Sequence, residues 1–355
     1  MPELRRDPIT DWWVIIAKER SKRPSDFASH EEHHLNEAES CAFCEGHGGM
    51  TPKEIYAIRE DGSKPNTPGW QVRVVPNKYP ALIIEGDMNR TGIGILDMMN
   101  GVGAHEVIIE TPCHNCDLTD LSIDHIVKVL KTYSVRIKDL HEDDRFRYVL
   151  VFRNYGRSAG ASLSHPHSQL IATPVTPNLM RTKLRIARDH YHQKERCIYC
   201  DIIQQELERE ERIISADEHY VVWSPFAARF PFETHIYPRE HSHDFTEDQG
   251  EKQYHLARTL KDILLRLQIS LNHPGYNFMI HTSPNLTPRL GKPDYWGTIE
   301  QDFHWHIEII PRLTQVAGFE WGTGFYINPT PPEEVANYLQ EIDTSEQIED
   351  VVEEA

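Results

Sequence analysis

The sequence predicts an α+β protein made of two similar halves, each with a β-sheet and one long helix. Two segments, residues 122–141 and 247–270, carry apolar residues at the spacing of amphipathic helices. Short segments rich in β-forming residues lie around them. The same order of motifs also occurs twice: Cys-x-x-Cys, strands, His-x-x-Asp-x-Thr, amphipathic helix, strand and His-x-His. We therefore expect one half over residues 1–177, a second over 178–342 and an acidic tail over 343–355.

The first half is predicted to contain several strands and one helix. The strand segments are 10–17, 70–75, 103–110, 147–152 and 170–172. The helix follows Ser122, a residue type that often caps helix N-termini. Its apolar stripe consists of Ile126, Leu130, Tyr133, Ile137 and Leu140. This stripe predicts a helix that packs one face against the sheet.

The second half is predicted to start with helix and to continue as the first half does. Residues 178–213 have a mainly helical pattern that is interrupted at Cys197–Cys200. The strand segments are 220–223, 233–237, 276–281 and 303–311. The stripe of the long helix includes Leu256, Leu260, Ile263, Leu264 and Leu267. Two prolines, Pro331 and Pro332, open a last short helix through Ile342.

Composition excludes several classes of protein. Of the 355 residues, 39% are hydrophobic and 26% charged, which is typical of globular proteins. The net charge of −18 argues against a general nucleic-acid binder or a binder of anionic membranes. No apolar run reaches the length of a membrane span, and the N-terminus lacks an apolar signal region. We therefore expect a cytoplasmic protein that acts on small molecules.

Six cysteines form three Cys-x-x-Cys pairs, and the chain has 21 histidines. Without a signal region, such pairs indicate metal binding before disulfides. Each half offers two thiolates and two imidazoles, a complete tetrahedral set for a structural Zn²⁺. The predicted sets are Cys41, Cys44, His114 and His165, and Cys197, Cys200, His241 and His304. Cys113 and Cys116 flank His114 and are either rival ligands or ordinary thiols.

The segment from Gly160 to Gln169 is the candidate catalytic centre. Its two histidines, His165 and His167, share one face if the segment is extended. A neutral imidazole serves as a nucleophile or as a metal ligand, depending on its local partner. We predict that His167 attacks a phosphorus atom while His165 holds the metal. The small residues that let the backbone N–H groups face phosphate oxygens are Gly160, Ala161 and Ser162.

Two further features bear on this centre. The basic run at residues 18–24 is either a solvated surface turn or a phosphate clamp. The second His-x-His, at His304 and His306, follows two carboxylates at Glu300 and Asp302, which repel phosphate. We therefore expect one nucleophile, and interpret His306 as a packed or vestigial counterpart.

These residues resemble the galactose-1-phosphate uridylyltransferase family, within the histidine-triad superfamily. The resemblance runs from Leu4 to about residue 340. Its motifs are the Arg23-Pro24 turn, Cys41-Ala42-Phe43-Cys44, Val72 to Leu82, Gly160 to Gln169 and His304-Trp305-His306.

The resemblance implies two fused histidine-triad-like halves with antiparallel sheets, usually in a homodimer. It also implies ping-pong chemistry, in which His167 takes a nucleotidyl group from a nucleotide sugar and passes it to a sugar 1-phosphate. Gln169 is expected to assist His167 by donating to a phosphate oxygen. The residues implied to hold nucleotide and phosphates are Arg20, Arg23, Asn77, Asn154, Ser162 and Gln169.

The sequence departs from typical family members at Ser168 and Lys78, where they have Gly and Asp. Their second metal site uses a glutamate plus histidines, and the glutamate position here is Lys183. The Cys197 set and the segment 318–328 resemble the branch that includes ADP-glucose phosphorylase. Uridylyl transfer between UDP-glucose and a hexose 1-phosphate is our first hypothesis, and phosphorolysis of ADP-glucose or a dinucleotide is the second. A nucleotide hydrolase and a non-catalytic zinc-stapled binding protein are the alternatives from other classes.

Overall fold

The computed structural model describes residues 1–17, 38–60, 62–288 and 296–349. The basic run at 18–24 lies outside these ranges, as does the end of the acidic tail after residue 349. The predictions for Arg20 and Arg23 therefore concern residues that the structure does not describe.

One antiparallel sheet of ten strands runs through both halves of the protein. The strands are β1 (Glu3–Arg6), β2 (Trp13–Ile16), β3 (Tyr56–Arg59), β4 (Trp70–Pro76), β5 (Thr91–Ile93), β6 (Leu96–Met98), β7 (Ala104–Ile109), β8 (Tyr148–Tyr155), β9 (His167–Thr173), β10 (Ile213–Ala216), β11 (Tyr220–Trp223), β12 (Thr234–Pro238), β13 (Tyr276–His281), β14 (His306–Pro311) and β15 (Tyr326–Asn328). The order in the large sheet is β10-β11-β12-β14-β13-β8-β9-β7-β4-β3. Strands β1, β2 and β15 form a small separate sheet, and β5 and β6 form a hairpin.

The two halves meet where β8 pairs with β13. Phe152 lies opposite Met279, and Asn154 lies opposite Asn277. This pairing satisfies backbone groups that would otherwise be exposed at the edge of each half. The α+β prediction is confirmed, and the sheets of the two halves are joined into one.

Two long helices lie side by side on one face of the sheet. The helices are α1 (Ile123–His141), α2 (Asn178–Lys194), α3 (Ile198–Arg209), α4 (Glu251–Leu271), α5 (Ile299–Asp302), α6 (Gly318–Thr323), α7 (Pro332–Gln340) and α8 (Ser345–Glu349). The predicted stripes of α1 and α4 are buried in a single core shared by both halves. Ser122 caps α1 as predicted, because its side chain accepts a hydrogen bond from the N–H of His125.

The opposite face of the sheet is covered differently in each half. Helices α2 and α3 pack on the strands of the second half. The segment around Cys41 and Phe43 packs on Trp70, Val107 and Ile109 in the first half. This face carries the candidate site.

The helical pattern predicted for 178–213 is only partly correct. A break at residues 195–197 separates α2 from α3, with Cys197 at the N-cap of α3. The chain then enters β10 at Ile213, because its apolar side chain is buried in the core beside α3. Among the helices that the structure describes, none is long and apolar enough to cross a membrane.

Candidate functional site

His167 is the first residue of β9, directly after the small-residue loop. Its Nδ1–H donates to the carbonyl oxygen of His165 at 2.8 Å. This leaves the Nε2 lone pair available, since a neutral imidazole has one donor and one acceptor nitrogen. Burial lowers the pKa of His167 from its ordinary value, so the ring is neutral at pH 7. The Phe43 ring packs edge-on against it at 5.3 Å between centroids.

Gln169 lies two residues further along β9 and therefore on the same face as His167. Its Oε1 accepts from the Nε2–H of His105 at 2.9 Å. The ring of His105 is fixed in this tautomer because its Nδ1 accepts from the backbone N–H of Ala81. With Oε1 engaged, the amide NH₂ of Gln169 is the end that can donate to a phosphate oxygen.

His105 is a site residue that sequence reasoning missed. It also brings Asn77 to the site, whose amide nitrogen lies 3.1 Å from the same Nε2. The available signal was a polar residue at the start of the apolar strand β7. Its contact with Gln169 depends on the pairing of β7 with β9, which sequence spacing does not give.

Asn154 stands on the neighbouring strand β8, and its Oδ1 accepts from the amide of Asn277 at 2.8 Å. The same amide donates to the carbonyl of Ala159 at 2.9 Å. Asn277 thus ties the second half of the chain to the loop before His167. Sequence reasoning missed this residue too, because the contact crosses the junction between the halves.

The loop from Gly160 to Ser162 differs from our expectation in one respect. The backbone N–H groups of Gly160 and Ala161 donate to the carbonyls of Arg157 and Gly156. The prediction that these two N–H groups face phosphate oxygens is therefore wrong. Gly160 has φ +87°, and this left-handed turn closes the short 3₁₀ helix before it.

The first predicted metal set is assembled in the structure. The donor atoms of Cys41, Cys44, His114 and His165 all lie within 4.8 Å of one another. The Sγ of Cys44 is 3.2 Å from Nδ1 of His114 and 3.6 Å from Nδ1 of His165. Four convergent thiol and imidazole donors can hold a metal ion.

The surroundings of this set suit a metal. The Nε2–H of His165 donates to the carbonyl of Thr111 at 2.8 Å and so directs Nδ1 to the ligand position. Burial lowers the pKa of His165 to about 4, which keeps that Nδ1 unprotonated. Burial and the charge of Cys41 raise the pKa of Cys44 to about 11. Two adjacent thiolates therefore need a cation between them.

The second predicted set is only partly assembled. Cys197, Cys200 and His241 lie together, with Sγ of Cys200 3.2 Å from Nδ1 of His241. His304 stands beside them, with its ring centroid 5.4 Å from that of His241. Its Nδ1 is directed to the carbonyl of Trp305, and its buried Nε2 has no hydrogen-bond partner. His304 is thus adjacent to the set, but its ring is not oriented as a ligand.

The third Cys-x-x-Cys pair does not bind metal. Cys113 and Cys116 are joined by a disulfide, so neither sulfur is a thiolate. The expectation that Cys113 and Cys116 are either rival ligands or ordinary thiols is wrong, because the two sulfurs are bonded to each other. The bond also removes the rival ligands of His114, which lies between them and contacts Cys44.

A buried polar network lies under β9, on the face opposite His167. Ser168 hydrogen-bonds to the carboxylate of Glu110 and lies 2.6 Å from the hydroxyl of Tyr133. Tyr133 donates to Glu110 at 3.1 Å, and Arg153 pairs with the same carboxylate at 3.0 Å. From the sequence alone, Ser168 is only a departure from the family pattern.

The comparisons with known proteins agree with this architecture. The protein-family model described as galactose-1-phosphate uridyl transferase, N-terminal domain, matches residues 1–177. The family model for the corresponding C-terminal domain matches residues 183–329. The chain belongs to the galactose-1-phosphate uridyl transferase family. Membership of the family confirms the predicted enzyme class, nucleotidyltransferase.

Two curated relatives of this family match almost end to end. ADP-glucose phosphorylase of Arabidopsis thaliana is 37% identical over 344 residues, covering 96% of this chain and 93% of the relative. Galactose-1-phosphate uridylyltransferase of Thermotoga maritima is 31% identical over 349 residues, covering 96% and 98%.

Solved structures of the family have the same fold. The Arabidopsis thaliana ADP-glucose phosphorylase with bound ADP-glucose aligns with a TM-score of 0.80 at 36% identity, covering 97% of this chain and all of that one. A uridylyltransferase structure aligns with a TM-score of 0.72 at 28% identity, covering 96% and 97%.

Proposed function

We propose that this protein transfers a nucleotidyl group from a nucleotide sugar through a covalent intermediate on His167. The supporting observation is the hydrogen bond from Nδ1 of His167 to the carbonyl of His165. It fixes the ring and aims the unprotonated Nε2 away from the backbone. A fixed neutral imidazole is a suitable nucleophile for phosphorus.

The reaction proceeds in two displacements. Nε2 of His167 forms a bond to the α-phosphorus, and the bond from that phosphorus to the bridging oxygen breaks. The sugar 1-phosphate leaves with the electron pair. A phosphate oxygen of the acceptor then attacks the same phosphorus, and the imidazole leaves as the neutral base. Each displacement is easier than one direct transfer between two anions.

Other residues are assigned supporting roles. The amide NH₂ of Gln169, held by His105, donates to a non-bridging phosphate oxygen as charge develops. Asn77 and Asn154 line the nucleotide side of the site, together with the exposed Ser162. Gly160 and Ala161 shape the loop. Arg20 and Arg23 are assigned to the phosphates from the family resemblance alone.

The first candidate is uridylyl transfer between UDP-glucose and a hexose 1-phosphate, in accordance with the description of the family. A specific observation favours a second candidate, adenylyl transfer from ADP-glucose to phosphate. The similarity to ADP-glucose phosphorylase, 37%, exceeds the 31% to the Thermotoga maritima uridylyltransferase over similar lengths. Both candidates require the same nucleotidyl-histidine.

Intact-protein mass spectrometry tests the proposal. The protein is mixed with UDP-glucose or ADP-glucose without acceptor and quenched at mildly alkaline pH. We expect a mass gain equal to UMP or AMP, which also identifies the base. His167→Ala should take no label, because the attacking nitrogen is gone, while His192→Ala, an exposed histidine on α2, should label normally.

Absence of label on folded wild-type protein with both nucleotide sugars would overturn the proposal. Steady release of nucleoside monophosphate without acceptor would instead support the hydrolase. Tight nucleotide binding with neither label nor release would support the binding protein.

We further propose that the metal is zinc and that its role is structural. Two thiolates and two imidazoles form a closed tetrahedral set that leaves no position for substrate. Cys41, Cys44, His114 and His165 would hold one ion and so fix the loop before His167. Cys197, Cys200 and His241 would hold a second. His304 could complete this set only after its ring turns away from the carbonyl of Trp305. We propose a cytoplasmic location from the four free thiols of these sets, against which stands the Cys113–Cys116 disulfide, a bond that is rare in a reducing compartment.

The active form is proposed to be a homodimer. The β5–β6 hairpin exposes a row of apolar side chains: Ile93 at 67%, Ile95 at 98%, Leu96 at 64% and Met98 at 57%. A patch of this kind on a folded chain indicates a covering partner. Light scattering should give twice the chain mass of 41.2 kDa, and Ile95→Asp should shift the protein towards the monomer. A monomeric wild-type protein would contradict this.

A further inference from the structure

A second group of ligand-type side chains is buried in the other half of the sheet. His281 on β13 and His306 on β14 are paired across the two strands, and Glu308 follows on β14. Their donor atoms lie within 4.8 Å of one another. The Oε1 of Glu308 is 3.6 Å from Nε2 of His281 and 3.7 Å from Nε2 of His306. Two imidazoles and one carboxylate in this arrangement are typical ligands of a divalent transition metal.

Both imidazoles are oriented as metal ligands are. The Nδ1–H of His306 donates to the carbonyl of His304 at 3.1 Å, which turns its Nε2 inward. Nδ1 of His281 is 3.3 Å from the hydroxyl of Tyr148, and its inward Nε2 is buried without a hydrogen-bond partner. The donors therefore converge on one point.

That point is taken by Lys183, a residue of α2. Its Nζ lies 2.8 Å from Nε2 of His306 and 2.5 Å from Oε1 of Glu308. The side chain is almost completely buried, with 1% of its surface exposed. An ammonium group at these distances occupies the space that an ion would need.

The charges around this point are already balanced. Arg229 lies 2.9 Å from Glu233 and 2.9 Å from the second oxygen of Glu308. The buried Lys183 and the partly buried Arg229 thus face two buried carboxylates. Adding a divalent ion would leave two uncompensated charges in a buried region, which is strongly unfavourable.

We propose that Lys183 is a built-in cation that replaces a metal ion and closes this cluster to metals. The glutamate-plus-histidine site implied by the family resemblance therefore does not fit this chain. The sheet nevertheless retains the remaining ligands, so that removing the lysine should open a third metal site. This inference does not depend on the nucleotidyl-transfer proposal.

The test compares metal content in the wild-type protein and Lys183→Glu after incubation with Zn²⁺ or Co²⁺ and dialysis. The variant removes the resident cation and adds a carboxylate beside three existing donors. We expect one more equivalent of metal per chain than in wild type. The double variant Lys183→Glu/His281→Gln should lose this gain. The measured quantity is the metal content of the variant minus that of wild type, so metal bound at the cysteine sets does not contribute to it.

Lys183→Met provides a second measurement if the glutamate variant does not fold. Methionine keeps most of the volume and removes the charge, so Glu308 loses one of its two cations. Added Zn²⁺ should raise its melting temperature by more than it raises that of wild type, because the cysteine sets are the same in both proteins and only the variant has the opened cluster. Two observations would overturn the proposal: a third metal bound by wild type at this cluster, or neither extra metal nor metal-dependent stabilisation in the variants.

Discussion

Ser168 sits between the two candidate catalytic residues, and its side chain points away from them. On the far side of β9 it is held by Glu110 and Tyr133, in a network that also contains Arg153. A strand fixed from below keeps the side chains above it at defined positions. The position of His167 is therefore set from both faces, by the carbonyl of His165 above and by Ser168 below.

Replacing Ser168 with Gly should lower the free energy of unfolding by about 1–3 kcal/mol. The loss arises because the buried carboxylate of Glu110 loses a donor and because Gly adds chain entropy. We also expect slower nucleotidyl transfer. Urea unfolding and steady-state kinetics measure the two effects.

The matched control is Ser134→Ala, one residue after Tyr133 on α1. It removes a buried hydroxyl that bonds only to the backbone carbonyl of Leu130. Its effect should be smaller, with unchanged kinetics. If Ser134→Ala and Ser168→Gly slow transfer equally, the anchoring role of Ser168 is incorrect.

Among the elements, the long helices can be predicted from the sequence more accurately than the Cys-x-x-Cys turns. Helix α1 could be predicted almost to the residue, because its stripe and its cap Ser122 are local signals. The sequence predicts two of the three cysteine pairs as ligands and leaves Cys113 and Cys116 as rival ligands or ordinary thiols, whereas the structure joins these two in a disulfide. Identical spacing has different outcomes when the surrounding donors differ, and the histidine donors come from loops that are distant in sequence.

Cys41→Ser should remove one metal equivalent and lower the melting temperature, because three remaining donors hold the ion weakly. The double variant Cys113→Ala/Cys116→Ala should keep the metal content of wild type, since these sulfurs are bonded to each other. Elemental analysis and thermal unfolding check both expectations. Loss of metal in the double variant, or full content in Cys41→Ser, would refute the assignment.

In the whole molecule, one continuous sheet and a shared core join the two halves, and we therefore expect them to unfold as one cooperative unit. The junction strand β13 contributes Phe278 to a core that both long helices share. Local sequence patterns predicted most of these strands, but not that β8 would pair with β13. Pairing between strands separated by more than a hundred residues leaves no periodic signal. His105, Asn277 and Lys183 acquire their roles through such long-range contacts.

Phe278→Ala should destabilise the protein by about 3–5 kcal/mol and preserve a single unfolding transition. The cavity would lie in the shared core, so both halves should unfold together. Ile269→Ala, at an exposed position of α4, should change stability by less than about 0.5 kcal/mol. Calorimetry distinguishes the outcomes: two separate transitions in the Phe278 variant would show that the halves are independent.

The strand register at the β8–β13 junction has an approximate two-fold symmetry that relates the two halves. If His167 and His306 are equivalent, strand pairing makes Phe152 equivalent to Met279, and these two residues face each other. The flanking pairs, Arg153–Phe278 and Val151–Ile280, exchange places under the same operation. A local dyad thus passes through the junction, as in the isologous interface of a homodimer.

A single chain in this sense resembles a homodimer whose two subunits are covalently linked. The linkage allows the two halves to diverge in sequence, and here they have diverged. Where one has the amide of Gln169, the other has the carboxylate of Glu308, and Lys183 obstructs the histidine beside it. Under the proposed function, each chain carries one working centre and one silent copy, and the proposed dimer would have two active sites among four equivalent positions.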